Sequence, residues 1–412
     1  MSMWFYVDRI LVAYQVRDSV AQQRPRGNLS DLYPRWLGAR ELLLHRRNPY
    51  ASDITIEIQK GYYGRVLDPA RPNDPKDQQG FAYPVYVVFL LAPLVGFPFH
   101  PVQIFFHWLL VALTGWSVCL WLRALSWRLP PWIMGGWIAL AIGSVPAVQG
   151  IKLQQLSLLV AALLAGSAAC ASRRWLFASG ALLALATIKP QLAWPLAAWL
   201  LFWAVTDWRH RKMLFFGFSA AMVLLLAGAE ILLPGWWRMF AAAIGEYHRY
   251  TRNESVLDQL LPWAFAGKIL ALAAVAACAL LLWRLRSVRA EDARFGHALA
   301  LVMAMTVVVV PMYAPYNQVL LLPAILVLVR DRFHFLGRSR AIRFVYLVGV
   351  VALAWQWIAS LTLTAAYLLG RRESALSGWK LPFLATFTLP VLVFALVFLD
   401  ARREKIAVRA TS

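Results

Sequence analysis

Apolar residues fall in long blocks along this chain, at about 81–99, 101–122, 131–149, 153–171, 175–188, 191–206, 213–233, 263–283, 297–312, 317–330, 343–369 and 381–399. Blocks of this kind predict membrane-spanning helices. Several fall short of the ~20 residues a full span needs, and many contain proline, so some helices are expected to be tilted, broken or re-entrant. No repeat period relates the blocks. Ahead of them, Met3–Val16 is apolar but interrupted by Asp8 and Arg9. It reads as a partial first spanning helix or an interfacial helix. With no cationic leader and no small-residue cleavage site, it does not read as a cleaved signal peptide.

Arg17–Gly80 is the longest polar stretch, with turn material at Asn48–Tyr50 and Asp68–Pro75. Within it Leu32, Trp36, Ala39 and Leu43 recur at helical spacing while Arg35, Arg40 and Arg46 take other faces. That pattern predicts an amphipathic helix lying on a membrane.

Composition places the whole chain in one class. Of 412 residues, 61% are hydrophobic and 20 are Trp, against about 45–50% apolar for soluble domains. The expectation is an all-α polytopic membrane protein of about 11–12 spanning helices. The three cysteines, Cys119, Cys170 and Cys278, sit inside apolar runs, spaced neither as a disulfide framework nor as a metal site.

A net charge of +21 invites a nucleic-acid partner, and its distribution removes one. The basic residues occupy short connections between apolar blocks rather than one soluble face. The connections at Arg123/Arg128, Arg173–Arg174, Arg209–Lys212, Arg284–Arg294, Arg330–Arg343 and Arg402–Arg409 hold 20 Lys and Arg. The alternate ones, around Lys152, Lys189, 234–262, 313–316 and 370–380, hold eight. The positive-inside rule puts the first set in the cytoplasm. This alternation requires Phe81–Phe99, with Pro84, Pro93 and Pro98, to be re-entrant or juxtamembrane. The expected division is a partial helix over 1–16, an extracytoplasmic loop over 17–100, a helix bundle over 101–399 and a basic cytoplasmic tail over 400–412, all in the cell membrane.

With that topology the outer face collects the candidate chemistry. Asp31 stands at the start of its helix, where Ser30 or Asp31 suits an N-cap; capping or solvation is the commoner role there and a chemical role the sharper one. Lys152, Gln154 and Gln155 form the outer turn of a helical hairpin, and Lys189-Pro190 forms another. Lys268 lies one turn inside a span, with Glu230 near the outer end of the preceding one. An intramembrane charge is a functional candidate unless it is paired or snorkels; a Glu230–Lys268 ion pair is the structural alternative. The loop 234–262 carries Glu246, His248, Arg249, Tyr250, Arg252, Asn253 and Glu254, and Tyr313–Gln318 adds two phenols and two amides, among them Tyr316 and Asn317. Side chains of these types suit a polar substrate such as a sugar. No Walker loop, HExxH, GxSxG, metal-spaced Cys/His cluster or DxD pair is present, and Asp74 and Asp77 are separated by two residues, with prolines at 72 and 75. No metal or cofactor is therefore expected.

Five blocks together resemble glycosyltransferase family 87, integral-membrane enzymes of the GT-C architecture. They are SDLYPRWLGARELLLHRRNPY (30–50), FAYP (81–84), GIKLQQLSLLVAALL (150–164), GALLALATIKPQLAWPL (180–196) and APYNQVLLLPAILVL (314–328). The resemblance implies a polyprenyl-phosphate-linked sugar donor, usually mannose, used at the extracytoplasmic side without a metal on a glycan or glycolipid acceptor. It implies Asp31 as general base and Lys189 at the donor phosphate. Lys152 and Lys268 are further candidates for the phosphate; Gln154, Gln155, Glu246, His248, Arg249, Tyr316 and Asn317 are candidates for the sugar or acceptor. The alternative is a transporter or flippase of lipid-linked sugar, but a transport site places its polar groups near the bilayer midplane, whereas these gather at one face.

Overall fold

The computed structural model describes residues 1–28, 30–250, 254–263, 265–311 and 313–410. Every regular element among them is helical. The chain opens with α1 (Ser2–Tyr6) and α2 (Val12–Ala21), joined by a π-helical turn over Val7–Leu11 that holds Asp8 and Arg9. The helical stretch thus continues past the expected end at Val16. The polar segment then folds into α3 (Tyr33–His45) and α4 (Ser52–Tyr63), and α5 (Val87–Leu91) follows with a 3-10 turn at Ala92–Leu94.

The apolar blocks become α6 (Phe99–Ala124), α7 (Pro131–Ile142), α8 (Val145–Lys152), α9 (Leu156–Ser172), α10 (Leu176–Ala186), α11 (Pro190–Val205) and α12 (Trp208–Leu232). After α13 (Trp236–Tyr250) and α14 (Val256–Leu260) come α15 (Ala266–Arg284), α16 (Ala293–Val309), a 3-10 turn at Pro315–Leu321 and α17 (Leu322–Arg330). The remainder is α18 (Arg332–Leu336), α19 (Arg340–Leu368), α20 (Arg372–Ser377) and α21 (Thr388–Ala410). Five helical segments are long and apolar enough to cross a membrane, or six counting α7 with α8, which bend by 58° at their junction. The bend has a local cause: Ser144 caps α8 through Ala147 N at 3.3 Å, and Pro146 occupies its first turn. The other apolar helices, α9, α10, α11, α16 and the Pro315–Arg330 stretch, are shorter. All of these sit where the apolar blocks do.

Close approach in the bundle depends on small residues. Between α10 and α12, a methyl group at Gly180 would collide with Leu214 O and one at Gly217 with Phe177 O. Gly217→Leu is therefore expected to cost at least about 1–3 kcal/mol, read as a lower melting temperature in detergent. An unchanged melt would mean the two helices are not held at this contact.

The connections separate into two groups. The basic ones meet at one end: Arg211 donates to the carbonyls of Trp203 (3.0 Å), Arg286 (3.1 Å) and Val288 (3.1 Å), Arg330 donates to Leu125 O (3.2 Å), and Arg174 faces Glu291 at 3.8 Å. Of the sparsely charged ones, the turn after Lys152 meets the polar segment, Asp31 N donating to Leu153 O at 2.9 Å, and 313–316 meets 234–262, Tyr313 N donating to Glu254 O at 3.1 Å. The site lies at this second end.

α3 differs from the surface helix its spacing suggests. Pro34, Trp36, Gly38, Ala39, Glu41 and Leu42 are all buried, which covers it on nearly every side. The covering comes from the segment after α4: Trp36 Nε1 donates to Leu94 O at 3.3 Å, and a methyl group at Gly38 would strike the Phe81 ring.

Candidate active site

Four turns supply the side chains. The first precedes α3, whose N-cap is Leu32 with no side-chain cap, so neither Ser30 nor Asp31 serves as one. Pro34 in the first turn starts the helix without needing an amide proton. The Asp31 carboxylate is thereby left to point elsewhere, and it accepts a hydrogen bond from Gln155 Nε2. The second turn lies between α8 and α9. Gln154 is left-handed there (φ 47°), and Gln155 leads extended into α9.

The third turn lies between α10 and α11. A residue before proline is pushed out of the helical region, and Lys189 before Pro190 sits at φ −121°, ψ 81°. Its side chain is folded inward and only 8% exposed. Lys189 Nζ donates to Gln155 Oε1 at 3.0 Å and to Ser157 Oγ at 2.6 Å, and Ser157 Oγ donates to Asn317 Oδ1 at 3.0 Å. Asn317 belongs to the fourth turn, Pro315–Leu321. One hydrogen-bonded chain thus runs Asp31–Gln155–Lys189–Ser157–Asn317.

Of these, Asp31, Gln155, Lys189 and Asn317 line one cavity of about 460 Å³, with Ser157 behind them. Tyr83 and Tyr316 flank Lys189 Nζ, with ring centroids at 5.9 and 5.4 Å. Arg35 enters from the first turn of α3, its Nη1 on Asp31 O at 2.7 Å and its guanidinium 4.6 Å from the Tyr83 ring. Arg35 Nε is buried with no partner among the described residues. Asp77, Gln79, Tyr247, Glu254 and Gln259 are also on its polar wall, with Gln191 and Tyr313.

The charges perturb one another outside the spanning helices. Burial raises the Asp31 carboxyl above its ordinary value, against the opposing pull of Arg35, Lys189 and the Gln155 hydrogen bond. Lys189, in the turn between helices, is pushed down to about 7, by burial first and by Arg35 second, with Asp31 opposing.

Several sequence candidates lie elsewhere. Lys152 turns toward the N-terminal helix, pairing with Asp8 at 2.6 Å over the Trp4 ring. Lys268 is exposed on α15, beside the Phe265 ring. No ion pair joins it to Glu230, which accepts from Gly235 N at 2.8 Å. Gln154 is spent on its own turn, donating to Ile151 O and Lys152 O at 2.9 Å and accepting from Gln103. Glu246, His248 and Arg249 are exposed on α13, which turns Phe240, Ile244 and Tyr247 to the cavity instead. Arg252 and Asn253 lie outside the described residues, as does the side chain of Tyr250.

Arg35, Tyr83 and Asp77 carry no site assignment from the sequence. Arg35 had a usable signal in its spacing, four residues after Asp31, whose backbone carbonyl it reaches. Among the described residues, the group able to hold a metal ion is His297, Asp331 and Asp400. It lies at the basic end, with His297 Nε2 3.1 Å from an oxygen of each aspartate, and not at Asp31.

A model of glycosyltransferase family 87 matches residues 81–311, more than half of the chain. The match takes in Gln155, Ser157 and Lys189 and stops short of Asp31 and Asn317 on either side. No curated protein and no solved structure matches.

Proposed function

Because this chain belongs to glycosyltransferase family 87 and is a membrane glycosyltransferase, we propose that it transfers a mannosyl group from a polyprenyl-phosphate donor to a hydroxyl of a glycan or glycolipid. One observation carries the reading: a carboxylate and two cations, Asp31 with Lys189 and Arg35, converge on a single cavity at one end of the bundle.

The chemistry asks for those charges. A sugar hydroxyl is a poor nucleophile until its proton is taken, and Asp31 takes it as the hydroxyl oxygen attacks the anomeric carbon. The bond from that carbon to the phosphate oxygen breaks, and the electron pair leaves on the lipid phosphate. Lys189 and Arg35 stabilise that growing charge in a partly dry site. Attack opposite the leaving group inverts the anomeric centre, and no step calls on a metal. The aromatic rings of Tyr83 and Tyr316 and the amides of Gln79, Gln259 and Asn317 offer faces and hydrogen bonds suited to sugars.

The test is to incubate purified protein and membrane extract with radiolabelled polyprenyl-phosphate sugars and identify the labelled product. Label from polyprenyl-phosphate mannose in a glycan or glycolipid supports the reading. Transfer from a nucleotide sugar alone overturns the donor assignment.

The same reading puts the site end outside the cell membrane and the C-terminus in the cytoplasm, following the basic connections. In a cysteine-free background, an impermeant thiol reagent on intact cells is expected to label Lys60→Cys and spare Glu291→Cys, both at exposed positions. The reverse pattern would invert the topology.

A further inference from the structure

We propose that Gln155 is the positioning residue of this site, its amide holding the Asp31 carboxylate and the Lys189 ammonium apart so that neither neutralises the other. The inference rests on the reading of Asp31 as base and Lys189 as the phosphate-binding cation.

The amide's orientation follows from its partners. A carboxylate only accepts and an ammonium only donates, so Nε2 must face Asp31 and Oε1 must face Lys189, as they do. Its backbone is held as firmly: Gln155 N donates to Gly150 O at 2.8 Å directly after the left-handed Gln154, and the residue is 4% exposed. With Ser157 as second acceptor, two of the three ammonium N–H bonds are directed into protein. The third is left for the cavity, where an anionic leaving group would sit.

Opposite charges in a cavity of low polarity attract strongly. Without the amide between them they would close into a direct ion pair. That pair makes Asp31 a weaker base and spends Lys189 on Asp31 instead of on the donor. A carboxamide suits the position because it satisfies both groups and carries no charge of its own. Neither an apolar residue nor a third charge does this.

Gln155→Leu and Gln155→Glu test the idea in two measurements, and either variant alone suffices if the other does not purify. The first is the pH dependence of kcat/KM for sugar transfer. In Gln155→Leu, direct pairing with Lys189 is expected to move the acid limb to lower pH and cut the rate by about a hundredfold. In Gln155→Glu, a second carboxylate beside Asp31 is expected to move that limb to higher pH. A purely packing role would move neither.

The second measurement needs no substrate. Acetic anhydride modifies Lys189 as the amine loses its proton, and peptide mass spectrometry follows the extent against pH. Both variants bring a carboxylate against the amine, so the midpoint is expected to rise by about one pH unit or more. Unmoved midpoints would overturn the inference even if Asp31→Asn abolishes transfer. Raised midpoints with normal transfer by Asp31→Asn would instead remove Asp31 as base and leave the spacing role of Gln155 standing.

Discussion

Asp31→Asn is expected to lower sugar transfer by about 10²–10⁴-fold while leaving expression and donor binding intact. The structure makes this substitution cleaner than its position at a helix start would suggest. α3 is capped at Leu32 without a side-chain bond, so asparagine costs the helix no cap. The asparagine carbonyl can still accept from Gln155 Nε2, so what is lost is the proton acceptor. Asp31→Glu is expected to be poor as well, since an added methylene displaces the carboxylate by about 1 Å, a shift that matters in a reacting geometry. Initial rates with a labelled donor, set beside donor binding by the same protein, decide the matter. Near-normal turnover by a well-folded Asp31→Asn protein would end the assignment. Asp77, the other aspartate on the cavity wall, would be the next carboxylate to examine. The wild-type pH profile gives a second check. A base works only when deprotonated, and burial raises the Asp31 carboxyl. Activity should therefore fall on acidification at a pH above the ordinary aspartate value of about 3.9.

Lys189→Ala is expected to lower kcat by about 10²–10³-fold, the usual loss when one preorganised donor to a developing anion is removed, and to raise the donor KM. The variant also leaves Gln155 Oε1 without its lysine donor, at a cost of about 1–3 kcal/mol for a buried acceptor. Lys189→Arg keeps the charge but not the shape, because a planar fork cannot meet Gln155 and Ser157 as a compact ammonium does. It should fall between alanine and wild type. Arg35 remains in every case, so donor binding weakens without vanishing. With the ammonium pushed down to about 7, wild-type activity should also decline on the alkaline side as Lys189 loses its proton. Unchanged kcat and donor KM in Lys189→Ala would leave the residue a packing role only.

The membrane helices were legible because lipid imposes one requirement on every span, and long apolar runs meet it visibly. The site was legible only in part, for reasons that differ by residue. Lys152 and Lys189 look alike in sequence, each a lysine at a turn between apolar runs. What separates them is Asp8, far away in the chain, which takes Lys152 out of the site. Gln154 and Gln155 are neighbours of the same type, yet the left-handed backbone at Gln154 turns one amide back on its own helix and sends the other to Asp31. Arg35 reads as the polar face of a surface helix until the segment ending at Leu94 is known to cover that helix. Tertiary contacts made these choices, and only Arg35, four residues after Asp31, carried a local hint of its place.

The hydrogen-bonded chain from Asp31 to Asn317 also sets a schedule. At about 5–20 residues per second of synthesis, on the order of 15 to 60 s separates the emergence of those two residues from the ribosome. From its own emergence until the end of that interval, Ser157, which steadies Lys189, lacks the Asn317 oxygen that accepts its hydrogen bond. An unfinished polypeptide therefore holds the carboxylate and the lysine without the last support that fixes their geometry. Competence arrives late in translation, after most of the helices have been inserted, and a chain cut short before Asn317 would sit in the bilayer with its cavity incomplete.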